Sequence, residues 1–408
     1  MRWIILILFF VLLEFYSYQA LNNLTRNKWI IVAYALFTLL AIGTIAYGFL
    51  NYDRSTGQNK TLMMAIALIL LLYMPKLIVT LFLLVEDSAR LMLGISNYFV
   101  SPTKLSGDFL PERRKFVTQI ALGVAAIPFL SIIHGIAVGR YKFRVIKQTV
   151  FFDDLPEAFD GFTFTHISDI HCGSFDDKEK IDHAIAVIND QESDLLLFTG
   201  DLVNSLAVEM DPWLETFNGI RKHAHGKFSV LGNHDYGEYV EWDTPAQKEA
   251  NFQAIKDLHP KMDFRLLLNE QVWIEKDGAR IALVGVENWG VKFKRVGDIN
   301  RASKDLTTTD FKIVLSHDPS HWDAEVVNHP KNFQLMLAGH THGAQFGIEI
   351  PGFFKWSPIQ YVYKQWAGLY EKTGRFLYVN RGFGYHAYPG RVGIWPEITV
   401  FELKRRKK

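Results

Sequence analysis

The sequence predicts a chain of the α/β class, with an N-terminal bundle of about four transmembrane helices over residues 1–139 and a layered α/β domain over 140–408. Three observations predict it. Long apolar runs crowd the first third of the chain. The composition then becomes that of a mixed globular domain at "RYKFRVIKQTVFF" (140–152). From there on, strand-like runs alternate with helical patterns.

The apolar runs at 29–50, 62–85 and 116–138 each exceed the ~20 residues that cross a bilayer as a helix. The first run, 3–13, is shorter and is followed by Glu14; completed by "FYSY" (15–18), it makes the fourth span. A signal peptide fits it poorly, because the basic end is only Arg2 and "SYQA" is a poor cleavage site. Lys76 falls inside the third span and is expected at the bundle interior or a cavity rather than against lipid. Residues 88–115 are too long for a simple helix connector and are expected to lie on the membrane surface as an amphipathic segment.

An even number of spans puts both chain ends on one side of an inner (plasma) membrane. The positive-inside rule does not choose the side. Arg2, Arg54, Lys60, Arg140, Lys142, Arg144 and Lys147 balance Arg26, Lys28, Arg90, Lys104, Arg113, Arg114 and Lys115. The basic tail "KRRKK" and the single cysteine, Cys172, which excludes an internal disulfide framework, favour a cytoplasmic domain. The 44 basic and 43 acidic residues nearly cancel, so nucleic acid is not expected as a partner. No pattern in the chain specifies an oligomeric state.

In the second region the strand-like runs are "FTFTHIS", "DLLLFTG", "KFSVLG", "RIALVGV", "FKIVLSH" and "FQLMLAG", with helical patterns at 177–190 and 244–259 between them. Polar clusters follow the strands: "HISDIH" the first, "TGDLVN" the second, "LGNHD" the third, "LSHDP" the fifth and "AGHTHG" the sixth. Carboxyl ends of strands are where open α/β sheets place their ligands. The clusters supply Asp169, His171, Asp201, Asn233, His234, Asp235, His317, His340 and His342. Carboxylate, imidazole and amide oxygen without thiolate suit divalent Mn, Fe, Zn or Mg. So many donors exceed what one catalytic ion with an open position needs. They suit two ions sharing a bridging carboxylate, about 3.5–4 Å apart. Any one "DxH" or "HxH" arises by chance in many chains; five in order at strand ends do not.

The order D-x-H, GDLVN, GNHD, SHDP, GHTHG resembles the calcineurin-like metallophosphoesterases over roughly 145–403. "LPEAFDGFTFTHISDIHCGS", "LYVNRGFG" and "RVGIWPEITVFEL" are similar to the branch that includes transmembrane proteins with a metallophosphoesterase domain. Some members of that branch act as UDP-2,3-diacylglucosamine pyrophosphatases in lipid A biosynthesis. The resemblance implies two packed β-sheets flanked by helices. It implies that Asp169, His171 and His342 hold a first ion, that Asn233, His317 and His340 hold a second, and that Asp201 bridges both. His234 matches the family's proton-donating histidine and Asp235 is expected to orient it. Asn204 departs from the pattern, since many relatives have a second aspartate there.

The implied activity is hydrolysis of a phosphodiester or pyrophosphate bond by a hydroxide that two ions activate, with protonated His234 serving the leaving oxygen. A phosphorylated, lipid-linked substrate and the bilayer itself are the expected partners. A non-catalytic membrane sensor or scaffold that keeps the fold is the rival, disfavoured because every metal-ligand type and His234 are retained. A transporter with an attached hydrolase has less support.

Other residues have blander readings. His166 is expected to be structural, His183 to be surface or packing, and Cys172 not to be a ligand. Arg391 could meet substrate phosphate or form a structural salt bridge. The aromatic stretch at 351–370 is either ordinary packing or an apolar rim that meets the bilayer or grips acyl chains.

Overall fold

The computed structural model describes residues 2–100, 111–350 and 352–406. The chain forms two compact units, Met1–Tyr52 with Thr61–His134 and Asp53–Lys60 with Gly135–Lys408.

The first unit is helical: α1 (Arg2–Leu24), α2 (Lys28–Leu50), α3 (Lys60–Val100) and α4 (Pro111–Ala137). Four stretches, Ile4–Leu24, Lys28–Leu50, Lys60–Ser96 and Glu112–Ala137, are long and apolar enough to cross a membrane. Asn27 caps α2, its side chain accepting from the Trp29 N–H at 3.0 Å. Large apolar side chains such as Ile7, Leu40, Leu81 and Ile127 face outward, whereas Lys76, Thr80, Glu86 and Thr118 are buried. That inversion suits a lipid surrounding.

Lys76 sits in the bundle interior, as expected, and donates to both Glu14 oxygens at 2.7 Å. The first span therefore tolerates Glu14 because a cation 62 residues away neutralises it. The expectation for 88–115 is corrected. Residues 88–100 continue α3, since Glu86 and Arg90 pair one turn apart at 2.5 Å and Arg114 of α4 reaches Glu86 at 3.0 Å. Residues 101–110 of that stretch lie outside the described residues.

The second unit has the expected α/β layering, built on two six-stranded sheets and a hairpin. Its strands are β1 (Arg144–Phe152), β2 (Thr163–Ile167), β3 (Leu195–Phe198), β4 (Lys227–Ser229), β5 (Arg265–Leu266), β6 (Glu270–Lys276) and β7 (Ala279–Gly285). They continue as β8 (Lys312–Leu315), β9 (Leu335–Ala338), β10 (Ile348–Ile350), β11 (Phe354–Trp356), β12 (Gly368–Lys372), β13 (Arg375–Val379) and β14 (Glu397–Arg405). One sheet runs β1-β14-β2-β3-β4-β5, the other β12-β13-β9-β8-β7-β6.

Strands β2 to β5 are mutually parallel, as are β7, β8 and β9, so each set delivers its following loops to one edge. Side chains alternate across β9. Leu335 and Leu337 join Phe164, Leu197, Leu315 and Phe401 in the core between the sheets, while Met336 and Ala338 pack outside with Trp322 and Val326.

Candidate metal centre

Each polar cluster occupies the turn directly after a strand: Asp169 and His171 after β2, Asp201 after β3, Asn233 to Asp235 after β4, His317 after β8, and His340 with His342 after β9. Five of these residues have left-handed backbones, with φ of 53° at Asp169, 47° at His171, 59° at Asp201, 70° at His340 and 49° at His342. Non-glycine residues avoid this region unless surrounding contacts impose it, and such strain gathers at functional sites. Here the contacts are visible. The His340 N–H donates to both Asp169 oxygens at 2.9 and 3.0 Å, and the His234 N–H donates to Asp201 Oδ1 at 2.8 Å. Gly339 and Gly232 are required by the same packing, because a Cβ at either would run into the carboxylate of Asp169 or Asp201.

The side chains converge. Asp169, His171 and His342 form one group whose ligand atoms lie within 4.8 Å of one another; Asp201, His317 and His340 form another, and His171, Asp201 and His234 a third. Asp201 thus belongs to both halves, its Oδ2 lying 3.5 Å from His171 Nε2 and 3.0 Å from His317 Nε2. His342 Nε2 lies 3.2 Å from Asp169 Oδ1.

The remaining contacts decide whether these residues fit cations. His171 Nδ1 bonds Asn204 Oδ1 at 3.1 Å and His317 Nδ1 donates to the Thr199 carbonyl at 2.7 Å. Tyr363 donates its hydroxyl hydrogen to Asp318 and so accepts from His340 Nε2, at 2.8 Å. Three imidazoles therefore have one nitrogen tied to oxygen and the other turned toward the carboxylates, which is how metal-ligating histidines are held. Asn233 is held the same way: its Nδ2 donates to Tyr239 at 2.7 Å, leaving Oδ1 free. Asn233 Oδ1 is buried without a hydrogen-bond partner, and His317 Nε2 and His342 Nε2 lie 3.0 and 3.2 Å from the carboxylates of Asp201 and Asp169. An orphaned acceptor beside buried carboxylates is costly unless a cation satisfies it. The residues fit divalent ions.

Electrostatics agree. Burial opposes a charge on His317, yet Asp201 and Asp169 overcome it and raise the imidazole to about 10. The two carboxylates draw in positive charge in whatever form is available. Burial also works against ionised Asp169 and Asp201, but His342 and His317 hold both below the ordinary carboxylate range. Burial lowers His171, His340 and His342 toward the neutral form that ligates, and the Arg391 guanidinium adds to this at His342.

The sequence-based role of Asp235 needs correction. Burial lowers His234 to about 4. Its Nδ1 donates to the Asn204 carbonyl at 2.7 Å and its ring stacks on Tyr239, centroids 4.3 Å apart. Asp235 does not orient it. That carboxylate accepts from the N–H groups of Asp201, Leu202 and Gly232 at 2.8–2.9 Å and ties the two loops together. Side chains of consecutive residues diverge, so adjacency along the chain misled.

Arg391 is fully buried and forms no salt bridge among the described residues: it donates to the carbonyls of Gly384 at 2.9 Å and Arg381 at 2.8 Å, and its Nη2 lies 3.2 Å from His342 Nδ1. His166 bonds Thr199 inside β2, His183 is exposed, and Cys172 is buried with its thiol pushed up by burial, outside every candidate metal group among the described residues. Sequence reasoning missed Tyr239, Asp318, Tyr363 and His386. His386 stacks on His171 at 4.8 Å and meets His234 edge-on at 4.4 Å. Asp318 stands beside His317 in "SHDP" and Tyr363 lies in the aromatic stretch; Tyr239 and His386 carried no signal.

Comparison with known proteins agrees with this geometry. A family described as "Calcineurin-like phosphoesterase" matches residues 162–344, and one described as "Probable Calcineurin-like phosphoesterase, transmembrane domain" matches residues 1–140. The uncharacterized metallophosphoesterase YkuE of Bacillus subtilis is 30% identical over 72% of this chain and 98% of its own length. A "Transmembrane protein with metallophosphoesterase domain" from Danio rerio is 27% identical over 71% of this chain and 63% of its own length. An uncharacterized metallophosphoesterase of Helicobacter pylori is 26% identical over 76% of this chain and 77% of its own.

Proposed function

Because the chain belongs to the calcineurin-like metallophosphoesterases, we propose that it uses two divalent cations to cleave a phosphodiester or pyrophosphate bond in a lipid-linked substrate such as UDP-2,3-diacylglucosamine. The observation that carries the two-cation site is the gathering of buried imidazoles and the unpartnered Asn233 Oδ1 around Asp169 and Asp201. Asp169, His171 and His342 would hold one ion, Asn233, His317 and His340 the other, and Asp201 both. Mn, Fe, Zn and Mg all suit this donor set. When bound, such ions offset phosphoryl charge and make water a competent nucleophile near neutral pH.

The chain's own residues supply the rest. His234 holds its proton on Nδ1 against Asn204, so Nε2 is the nitrogen open to the substrate. A phosphoryl group beside the ring favours the imidazolium by its negative charge, lifting the pKa from about 4. As the P–O bond breaks, the proton on Nε2 passes to the leaving oxygen while water oxygen bonds to phosphorus, keeping one proton and releasing the other to solvent. Tyr239, stacked on the ring, limits access of water from that side.

The lipid-linked substrate is supported by the four candidate spans. A cytoplasmic site on the inner membrane is supported by the single, buried, unpaired Cys172. Nearly balanced charge favours no nucleic-acid partner. Two assays on the purified full-length protein test the reading. Chelation is expected to abolish turnover of an aryl phosphodiester and Mn to restore it; activity indifferent to chelation overturns the metal site. Release of UMP from UDP-2,3-diacylglucosamine is expected. Its absence, with the aryl ester still cleaved, overturns the named substrate and leaves the hydrolase.

A further inference from the structure

The hairpin β10–β11 stands apart from both six-stranded sheets and is built inside out. Its register pairs Ile348 with Trp356, Glu349 with Lys355, and Ile350 with Phe354. Because side chains alternate along a strand, Glu349 and Lys355 share one face and the four apolar residues share the other. The charged face is the one fastened to the domain. Glu349 pairs with Arg381, which in turn pairs with Glu397 at 2.5 Å, and Lys355 donates to the Ala367 carbonyl at 2.6 Å.

The apolar face looks out. Ile348, Ile350 and Phe354 are 54%, 50% and 47% exposed, Trp356 is half-buried, and Phe353 at the turn is 85% exposed. Tyr361 and Val362 extend the surface at 78% and 56%. A two-stranded hairpin in water ordinarily turns its apolar face inward, and contiguous exposed apolar surface of this kind marks an interaction site.

We infer that this face seats in lipid at the headgroup–acyl boundary, as an interfacial anchor of the phosphoesterase unit. The chain's candidate spans keep a bilayer within reach at all times. Mixed aromatic and aliphatic side chains favour that boundary. Lys292 and Lys364, both exposed, line a cavity of about 390 Å³ with Val362 and Tyr363 and complement anionic headgroups. Asp323 in the same cavity already accepts from Gln365 at 2.9 Å. The lipid-facing strip also adjoins the metal centre, since Val362 precedes Tyr363, whose hydroxyl bonds His340. This proposal holds whether or not the substrate is lipid-linked.

The test uses the full chain, one copy per nanodisc of phosphatidylcholine and phosphatidylglycerol. Phe353→Cys is labelled with nitrobenzoxadiazole; the native Cys172 is fully buried. Doxyl-labelled lipid is expected to quench the probe at least twofold and iodide to quench it little. Glu275→Cys, on an exposed position of β6, is expected to show the reverse. Quenching of the 353 probe by iodide as strong as at 275 overturns the proposal. Shielding from both quenchers also overturns it, pointing to a protein cover instead.

Discussion

The two units treat buried charge in opposite ways. In the helical unit, Lys76 and Glu14 meet at 2.7 Å, the Tyr34 hydroxyl donates to Glu14 at 3.3 Å, and the Lys76 ammonium lies 5.2 and 5.3 Å from the Tyr34 and Tyr73 ring centres. That cluster is closed: the cation and the anion are both protein. At the metal centre, two buried carboxylates gather several imidazoles and an amide oxygen with no lysine or arginine among them. That cluster is open. A closed charge cluster is a device for folding in a low-dielectric surrounding, whereas an open one is a demand for an external cation.

Removing the shared carboxylate breaks the open cluster and gives the largest effect. Asp201→Asn keeps the shape and the acceptor for the His234 N–H but removes the charge both halves use. Turnover is expected to fall by more than the ~10²–10⁴-fold that a single proton donor supplies. Metal content by elemental analysis is expected to drop below one ion per chain, with the fold retained by circular dichroism. Retention of two ions would remove Asp201 from its bridging position.

Opening the closed cluster is expected to cost stability and leave metal content alone. Lys76→Ala leaves the partly exposed Glu14 without its cation, which is expected to cost less than the about 3–5 kcal/mol of a fully buried pair. The double variant Lys76→Met with Glu14→Leu is expected to recover most of it, because no charge is left to compensate. Thermal inactivation in detergent reads both. A double variant as unstable as the single would show that the pair has a role beyond neutralising itself.

How much of this was legible depends on the kind of contact. The spans, the sheet-forming runs and the strand-end clusters could be read because each has a period or an ordered spacing. Residues as far apart as Asp169 and His342 could be grouped because each follows a strand of a parallel set, one in each sheet. The support beneath them could not be read. Tyr239, Asp318 and Tyr363 act through one or two hydrogen bonds from loops, and no spacing distinguishes a tyrosine that orients a ligand from one that packs. Glu14 looked like the end of an apolar run because its partner lies two helices later. Arg391, conspicuous in a glycine-flanked loop, became a brace for backbone carbonyls.

A buried imidazole away from carboxylates sharpens the contrast. His259 bonds Ser229 at 2.8 Å and leaves Nε2 unpartnered, and burial alone acts on it and lowers it to about 3. It is neutral and asks for no cation. The folded pKa lies below the ordinary ~6.5, so between the two values only the unfolded chain takes up the proton. Stability from this group is present above pH 6.5 and lost as pH falls, by about 1.4 kcal/mol per unit. His259→Gln is expected to flatten the acid limb of the stability profile without changing metal content. An unchanged slope would mean that the imidazole is charged in the fold.

The smallest expected effect separates the two clusters most finely, because the same substitution is made in each. Tyr239→Phe keeps the ring that stacks on His234 and removes the oxygen that accepts from Asn233 Nδ2. Without that acceptor, Asn233 no longer has a reason to present Oδ1 rather than Nδ2 to the site. A lost neutral hydrogen bond is worth about 1 kcal/mol, so one of two cation-binding steps is expected to weaken about fivefold. The other step, held by Asp169, His171 and His342, is expected to stay put. In the closed cluster, Tyr34→Phe removes the hydroxyl that donates to Glu14 and is expected to shift thermal stability slightly and neither binding step. Equal weakening of both steps by Tyr239→Phe would place Asn233 outside the ligand set and leave its orphaned oxygen without an occupant.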